Sequence, residues 1–199
     1  MLDEGSAETV KAELSIFEPL PYQVSHIKGN WIRHEPENDS LGTNTNTPIT
    51  FKIPKAAGLY IDFNDSFIDL EVAIESSATF ATDTSVAFVN FALHSLFKDV
   101  TFEINGTKIE GANQHYAYKA YIFALINASQ EAKRHQLQSS GWMHDTNGQF
   151  DIATNAGFVA RQQWTAAGVN MYFAGPLFLD TWIHEQYFTD ACDIRLKFH

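Results

Sequence analysis

Apolar and polar residues alternate along 100–104 (Val-Thr-Phe-Glu-Ile), the pattern of a β-strand with one buried face. Asn105-Gly106 follows and suits a two-residue type I′ turn, because both central residues of that turn need a positive φ. A second alternating strand covers 107–110. The short turn sets the register, so Phe102 and Ile109 are expected to share the core face, while Glu103 and Lys108 face solvent. The predicted opposite pairs are Ile104 with Thr107, Glu103 with Lys108, and Phe102 with Ile109.

The period of the apolar residues changes to that of a helix after this hairpin. Five apolar residues fall at i, i+3, i+4, i+7 and i+8, which is the stripe of an amphipathic helix and is more often core than ligand platform. Asn113 is predicted to be the N-cap, and 114–136 contains no Pro or Gly to break the run. We predict one long helix, inserted between strands of a sandwich or barrel. The stripe consists of Tyr118, Tyr121, Ile122, Leu125 and Ile126.

Further alternating segments predict the remaining strands. The segment 59–74 is expected to be a strand pair or one kinked strand, with a bulge or turn at 64–66. About eight strands with long connections and no internal repeat favour a single β-sandwich, namely a jelly roll with one or two short helical turns. The other predicted strands are 24–33, Ile49–Ile53 before Pro54, 158–164, 169–173 before Gly175-Pro176, and 193–199, and 90–97 is predicted to be a helical turn.

Composition narrows the possible partners. The 199 residues are enough for one good core, and 45% of them are hydrophobic. The charge is −11, with 24 acidic and 13 basic residues, so binding to nucleic acid or to an anionic membrane is not expected. The acidic first residues lack the pattern of a signal peptide, and no apolar run is long enough to span a bilayer, so we do not expect secretion.

The candidate reactive groups do not assemble into a catalytic pattern. The segment 145–148 (Asp-Thr-Asn-Gly) does not meet the calcium-loop frame and is expected to be an Asx turn. Eight histidines are scattered, and His184 next to Glu185 is more often a structural residue than an acid–base pair. The single cysteine, Cys192, lies beside Asp193, which disfavours a reactive thiolate. We therefore expect no enzyme, no metal site and no cofactor.

Several phrases together resemble a known family. They are SIFEPLPYQVSHIKGNWIRHEP near the start, VNFALHSLFKDVTFEINGTKIEG followed by YAYKAYIFALIN, then GPLFLD and the closing DIRLKF. In order and spacing they resemble the major capsid proteins of Polinton (Maverick) elements and adintovirus-like DNA viruses, from about Leu14 to the last residue. That family is similar to the double jelly-roll capsid lineage. The resemblance implies a virion structural protein, assembled inside the host cell, whose chains form trimeric, pseudo-hexagonal capsomers.

The resemblance also implies a domain organisation and a contact surface. Residues 1–14 are expected to be a flexible arm, and 15–199 to be one jelly roll, the first half of a double jelly-roll protein. Between 177 and 188 there are too many large apolar residues for one face of a short segment, so a partner copy is expected to cover some of them. This candidate assembly surface consists of Leu177, Phe178, Trp182, Ile183, Tyr187 and Phe188.

Two other functions remain open from the residues alone. A β-sandwich binding module would recognise a glycan or a protein through its end loops, with an aromatic platform of Trp31, Trp142 or Trp164. A small cupin-like enzyme would need two or three histidines and a carboxylate that converge inside a barrel.

Overall fold

The computed structural model describes residues 28–37, 47–56, 58–74, 86–111, 113–150, 152–165, 169–184 and 186–199. The chain divides into two units, Met1–Arg33 and His34–His199. In the first unit, residues 28–33 form neither strand nor helix, so the strand predicted over 24–33 is absent from its described part. The predicted arm over 1–14 lies outside the described residues.

The second unit combines short strands with short helices. Its strands, in chain order, are β1 (Ile49–Ile53), β2 (Tyr60–Ile61), β3 (Phe67–Val72), β4 (Val100–Ile104), β5 (Thr107–Gly111), β6 (Met171–Pro176), β7 (Phe188–Thr189) and β8 (Ile194–Phe198). Its helices are α1 (Ala92–Ser95), α2 (Tyr116–Asn127), α3 (Gln130–Arg134), α4 (Ala156–Thr165) and α5 (Asp180–Ile183), and a 3₁₀ helix covers Gln136–Ser140.

All strand pairs in the described residues are antiparallel. One sheet has the order β1-β8-β4-β5, and two smaller sheets pair β2 with β7 and β3 with β6. The fold is thus built from antiparallel sheets and a few short helices and is compatible with a β-sandwich. In the part of the chain described, the sheets stay open and do not close into a barrel.

The last strand, β8, is the centre of the main sheet. Ile194, Leu196 and Phe198 are buried and Arg195 between them is exposed, as the alternating sequence predicts. The ring of Phe198 lies edge-on to Phe51 of β1, with centroids 5.6 Å apart. The predicted strands at β1, β3 and β8 are confirmed, and so is the helical turn at α1.

The predicted turn of the hairpin is confirmed, but the pairing predicted beyond Glu103 and Lys108 is wrong. Asn105 and Gly106 have φ of 50° and 79°, and Glu103 lies opposite Lys108 as predicted. A β-bulge then shifts the register, so that Phe102 faces Glu110. The side chain of Ile109 is therefore turned out and 55% exposed, and the prediction that it shares the core face with Phe102 is wrong.

The turn of this hairpin is also tied to β8. The N–H of Asn105 donates to the carbonyl of Asp193 at 2.8 Å, and the N–H of Asp193 donates to Asn105 Oδ1 at 3.0 Å. The carboxylate of Glu103 lies 2.6 Å from the amino group of Lys197 on β8. The turn that the local sequence specifies thus also aligns β4 with the last strand.

The long helix predicted over 114–136 is interrupted. Asn113 and Gln114 have positive φ, so Asn113 does not cap α2, which begins at Tyr116. Ala128 is extended, and the hydroxyl of Ser129 accepts a bond from the N–H of Ala132 at 3.1 Å. Ser129 therefore starts a new helix, because its hydroxyl offers the backbone a cap that competes with helix continuation.

Two strand predictions in the second half of the chain also need correction. The segment 158–164 lies in helix α4, which begins after Asn155, whose side-chain oxygen accepts from the N–H of Gly157 at 3.0 Å. Gly175-Pro176 does not end the preceding strand, because β6 runs through Pro176, which lies opposite Phe67. A proline is tolerated at a strand end, where one fewer ladder donor is needed.

The turn glycine gives a direct stability prediction. Gly106→Val should lower the free energy of unfolding by roughly 1 kcal/mol or more, because a β-branched residue disfavours positive φ. A Cβ at this position would meet nothing within 4 Å, so the loss comes from the backbone and not from a clash. Urea denaturation measures the effect. Gly106→Asn, which tolerates the left-handed region, should lose less, and equal losses for Val and Asn would contradict the explanation.

Candidate interaction surface

The residues predicted to form an assembly surface near the end of the chain are mostly core. Leu177, Phe178 and Trp182 are 7%, 8% and 4% exposed, and Phe188 is half-buried. The Trp182 ring packs against the Phe63 ring at a tilt of 32°, with centroids 4.2 Å apart. The other two of the six are exposed, so the segment does not present the single surface that we expected. The exposed pair is Ile183 (39%) and Tyr187 (48%).

Helix α2 instead presents large apolar side chains to solvent. Its buried face consists of Tyr116, Ala120 and Ala124. Small alanines let a helix lie close to the body of the protein, and the larger residues of α2 are then directed outward. Of the predicted core stripe only Tyr121 is half-buried, so the expected direction of the helix is wrong. We call the other four the outer face of α2: Tyr118 (70% exposed), Ile122 (52%), Leu125 (45%) and Ile126 (76%).

Buried polar and aromatic contacts hold the start of α2. The Tyr116 hydroxyl lies 3.1 Å from His94 Nδ1, and the N–H of Phe178 donates to the same hydroxyl at 3.4 Å. The Tyr116 hydroxyl thus joins the His94 ring and the backbone of Phe178, while Nε2 of His94 is buried without a hydrogen-bond partner among the described residues. Burial raises the pKa of Tyr116, and the hydroxyl stays protonated. One turn on, Tyr121 stacks on Trp142 at 5.0 Å.

A partly exposed charged cluster also holds the first turn of α2. The amino group of Lys119 lies 3.1 Å from Glu110 and 2.6 Å from Asp180. Glu110 also accepts bonds from the N–H and hydroxyl of Thr181 and from the N–H of Asp180, so it caps helix α5. Partial burial alone lowers the pKa of Lys119, but the bonds to Asp180 and Glu110 outweigh it and raise that pKa. No local sequence pattern predicts this cluster, because Glu110 and Asp180 lie 70 residues apart in the chain.

A second polar cluster is buried beneath α4. The carboxylate of Asp145 lies 3.0 Å from the Arg161 guanidinium, and Asn90 donates to its other oxygen at 2.9 Å. Arg161 also donates to the carbonyl of Phe88 at 3.0 Å. A Cβ on Gly157 would come within 2.3 Å of the Asp145 carboxylate, so this glycine is needed for the close approach. Both oxygens of the Asp145 carboxylate are thus bonded within the protein, and Asp145 is a structural partner of Arg161 and Asn90.

The other candidate residues do not converge. His94 is buried among rings, and no group of three His, Cys, Asp or Glu residues that could hold a metal ion occurs among the described residues. Glu185, the proposed neighbour of His184, lies outside the described residues. Of the three tryptophans suggested for an aromatic platform, Trp31 is 74% exposed, Trp142 is buried at 3% and Trp164 is half-buried, so only Trp31 is available for one. None of the described helices is long and apolar enough to cross a membrane.

Comparisons with protein-family models, with curated proteins and with solved structures found no match for this chain. The role of the outer face of α2 is therefore inferred from the geometry of this chain alone. The helical spacing of its residues was visible in the sequence, whereas their direction depended on the alanines and on Tyr116, which took the buried side.

The buried histidine predicts an acid-sensitive fold. Burial lowers the pKa of His94 from its ordinary 6.5 to about 3. As pH falls through 6.5 the unfolded chain takes up this proton and the folded chain does not. The contribution of His94 to stability is therefore complete above pH 6.5 and is lost progressively toward pH 3, by about 1.4 kcal/mol per pH unit.

Urea denaturation between pH 7 and pH 5 measures this slope. His94→Gln should reduce the loss of stability over that range, because glutamine does not titrate. His135→Gln, at an exposed position, is the matched control, and the slopes of the two variants are compared with that of the wild type. An unchanged slope in His94→Gln would show that other groups account for the acid sensitivity.

The buried ion pair predicts a large effect of a single truncation. Arg161→Met should destabilise the fold by about 3–5 kcal/mol, because it leaves the Asp145 carboxylate buried without its cation. Arg134→Met is the control: Arg134 pairs with Glu131 at 3.5 Å on the surface, where such a pair is worth about 0–1 kcal/mol. Thermal and urea unfolding of both variants would test this, and similar losses would contradict the structural role assigned to Asp145.

Proposed function

We propose that this chain is a structural virion protein, a jelly-roll capsid subunit that self-associates into trimeric, pseudo-hexagonal capsomers of an icosahedral shell. In this proposal it assembles inside the host cell and acts in the capsid. The resemblance of its sequence phrases to the Polinton and adintovirus-like capsid proteins supports the proposal. The chemistry of the described residues, which provide buried structural pairs and exposed apolar side chains, is in keeping with it.

The strand pairing supports the jelly-roll part of the proposal. The pairs are β1 with β8, β2 with β7, β3 with β6, and β4 with β5. Such nested pairs arise when one long hairpin folds over on itself, which is how eight strands make the two Greek keys of a jelly roll. The ladder between β4 and β8 departs from the usual pattern, in which the last strand lies beside the third.

The observation that carries the function is the spread of exposed apolar side chains over several elements. Besides the outer face of α2, Tyr60 on β2 is 74% exposed, and Phe67 on β3 and Tyr172 on β6 are 60% and 71% exposed. A closed dimer needs one contact patch, whereas a shell subunit meets neighbours on several sides. Single exposed apolar residues are common on protein surfaces, so these three support a shell subunit only because they accompany a contiguous apolar face on a separate element.

Self-association of the purified chain tests this function. We expect size-exclusion chromatography with light scattering to show trimers or larger species that grow with protein concentration. Higher salt should favour them, since it screens the repulsion between chains of charge −11. Electron microscopy would show whether the larger species are ordered. A monodisperse monomer at high micromolar concentration, at both low and high salt, would overturn the proposal.

A further inference from the structure

The outer face of α2 is an uncharged strip on a strongly acidic protein. Among the twelve residues of α2 the only charged side chain is Lys119, and its amino group is held by Asp180 and Glu110. The strip runs along a helix of about 18 Å. Its members at i, i+4, i+7 and i+8 form the ridge that one helix offers to another.

The size of the strip fits contact with a like surface. Its four side chains expose on the order of 400 Å² of apolar surface, which is the size of a functional patch on a monomer. A standard interface buries about 800 Å² on each partner. The strip thus supplies about half of one side of an interface, and flanking polar residues have to supply the remainder.

The charges that flank the two ends of the strip are opposite in sign. Near its N-terminal end, the carboxylates of Glu110 and Asp180 surround the single ammonium of Lys119, which leaves one net negative charge. Near its C-terminal end, helix α3 carries Lys133 and Arg134 against Glu131, which leaves one net positive charge. The Lys133 amino group donates to the carbonyl of Leu125 at 2.7 Å, so this positive charge lies beside the strip.

We propose that the outer face of α2 binds the same face of a second copy, with the two helices antiparallel across a twofold axis near Ile122. In this arrangement Tyr118 of one copy lies near Ile126 of the other. The apolar strips cover each other, and each negative end meets a positive end. Antiparallel helix dipoles also attract. The inference rests on the proposed function and adds to it a contact between capsomers, because a twofold contact cannot be the one that closes a trimer.

Charge disfavours the other classes of occupant. With a net charge of −11 the chain repels nucleic acid and anionic lipid, and neither would be bound by an apolar strip that lacks cations along its length. Two copies of an acidic chain repel each other as well. They approach most easily where the surface is uncharged and its ends are complementary.

The first test is a charge placed in the centre of the strip. Ile122→Asp should weaken the twofold association at least tenfold in analytical ultracentrifugation, because a carboxylate would face its own copy across the axis. Ile152→Asp is the matched control, since Ile152 is 48% exposed and Ile122 is 52% exposed. Circular dichroism and the melting temperature check that both variants fold. If wild type associates and Ile122→Asp associates equally well, the α2 contact is wrong and the proposed function stands.

Cross-linking tests the geometry without adding charge. In a Cys192→Ser background, Ile122→Cys should cross-link to its own copy with a short bis-maleimide. A mixture of Tyr118→Cys and Ile126→Cys proteins should give more heterodimer than either protein gives homodimer. Strong Tyr118-to-Tyr118 cross-linking would indicate parallel helices and overturn the proposed axis. Absence of cross-links in associated protein would place the contact elsewhere, and a monomeric wild type would reject the proposed function as well.

Discussion

The fold depends on the pairing of β8 on both of its sides. This strand lies between β1 and β4 and contributes Ile194, Leu196 and Phe198 to the core. Its ends are held as well: Asp193 exchanges bonds with Asn105, and the N–H of His199 donates to the carbonyl of Asp99 at 2.8 Å. The first strand and the hairpin of β4 and β5 therefore meet through β8, and loss of its pairing would separate β1 from the hairpin.

Helices α2 and α4 are held in place by two different means. Helix α2 is held at a buried tyrosine, two alanines and a lysine with carboxylate partners. Helix α4 has a polar buried stripe of Gly157, Arg161 and Thr165, and the Thr165 hydroxyl donates to the carbonyl of Val86 at 2.8 Å. Because small and polar residues occupy these buried faces, the larger apolar residues of α2 are left on the surface.

Helix α2 links the stability of the fold to the proposed association of two copies, because its buried face holds it to the protein and its outer face is the proposed contact. The buried contacts that hold the start of α2 include neutral His94. Acid therefore acts on the same helix whose outer face we propose to bind a second copy. Protonation would make both ring nitrogens donors, although Nε2 is buried without a hydrogen-bond partner among the described residues. Association that depends on α2 is thus expected to weaken with acid for a reason internal to each subunit, apart from any charge at the contact.

The sequence alone determined the features that depend on neighbouring residues. The Asn105-Gly106 turn follows from the need for positive φ, and the strands β1 and β8 follow from strict alternation. The bulge that exposes Ile109, the helix in place of a strand at α4, and the direction of α2 were decided by tertiary structure. Each depends on distant partners: Asn90 and Asp145 bury Arg161, and Glu110 and Asp180 hold Lys119. Local periodicity shows which residues share a face, but which face is buried depends on what the rest of the chain places against it.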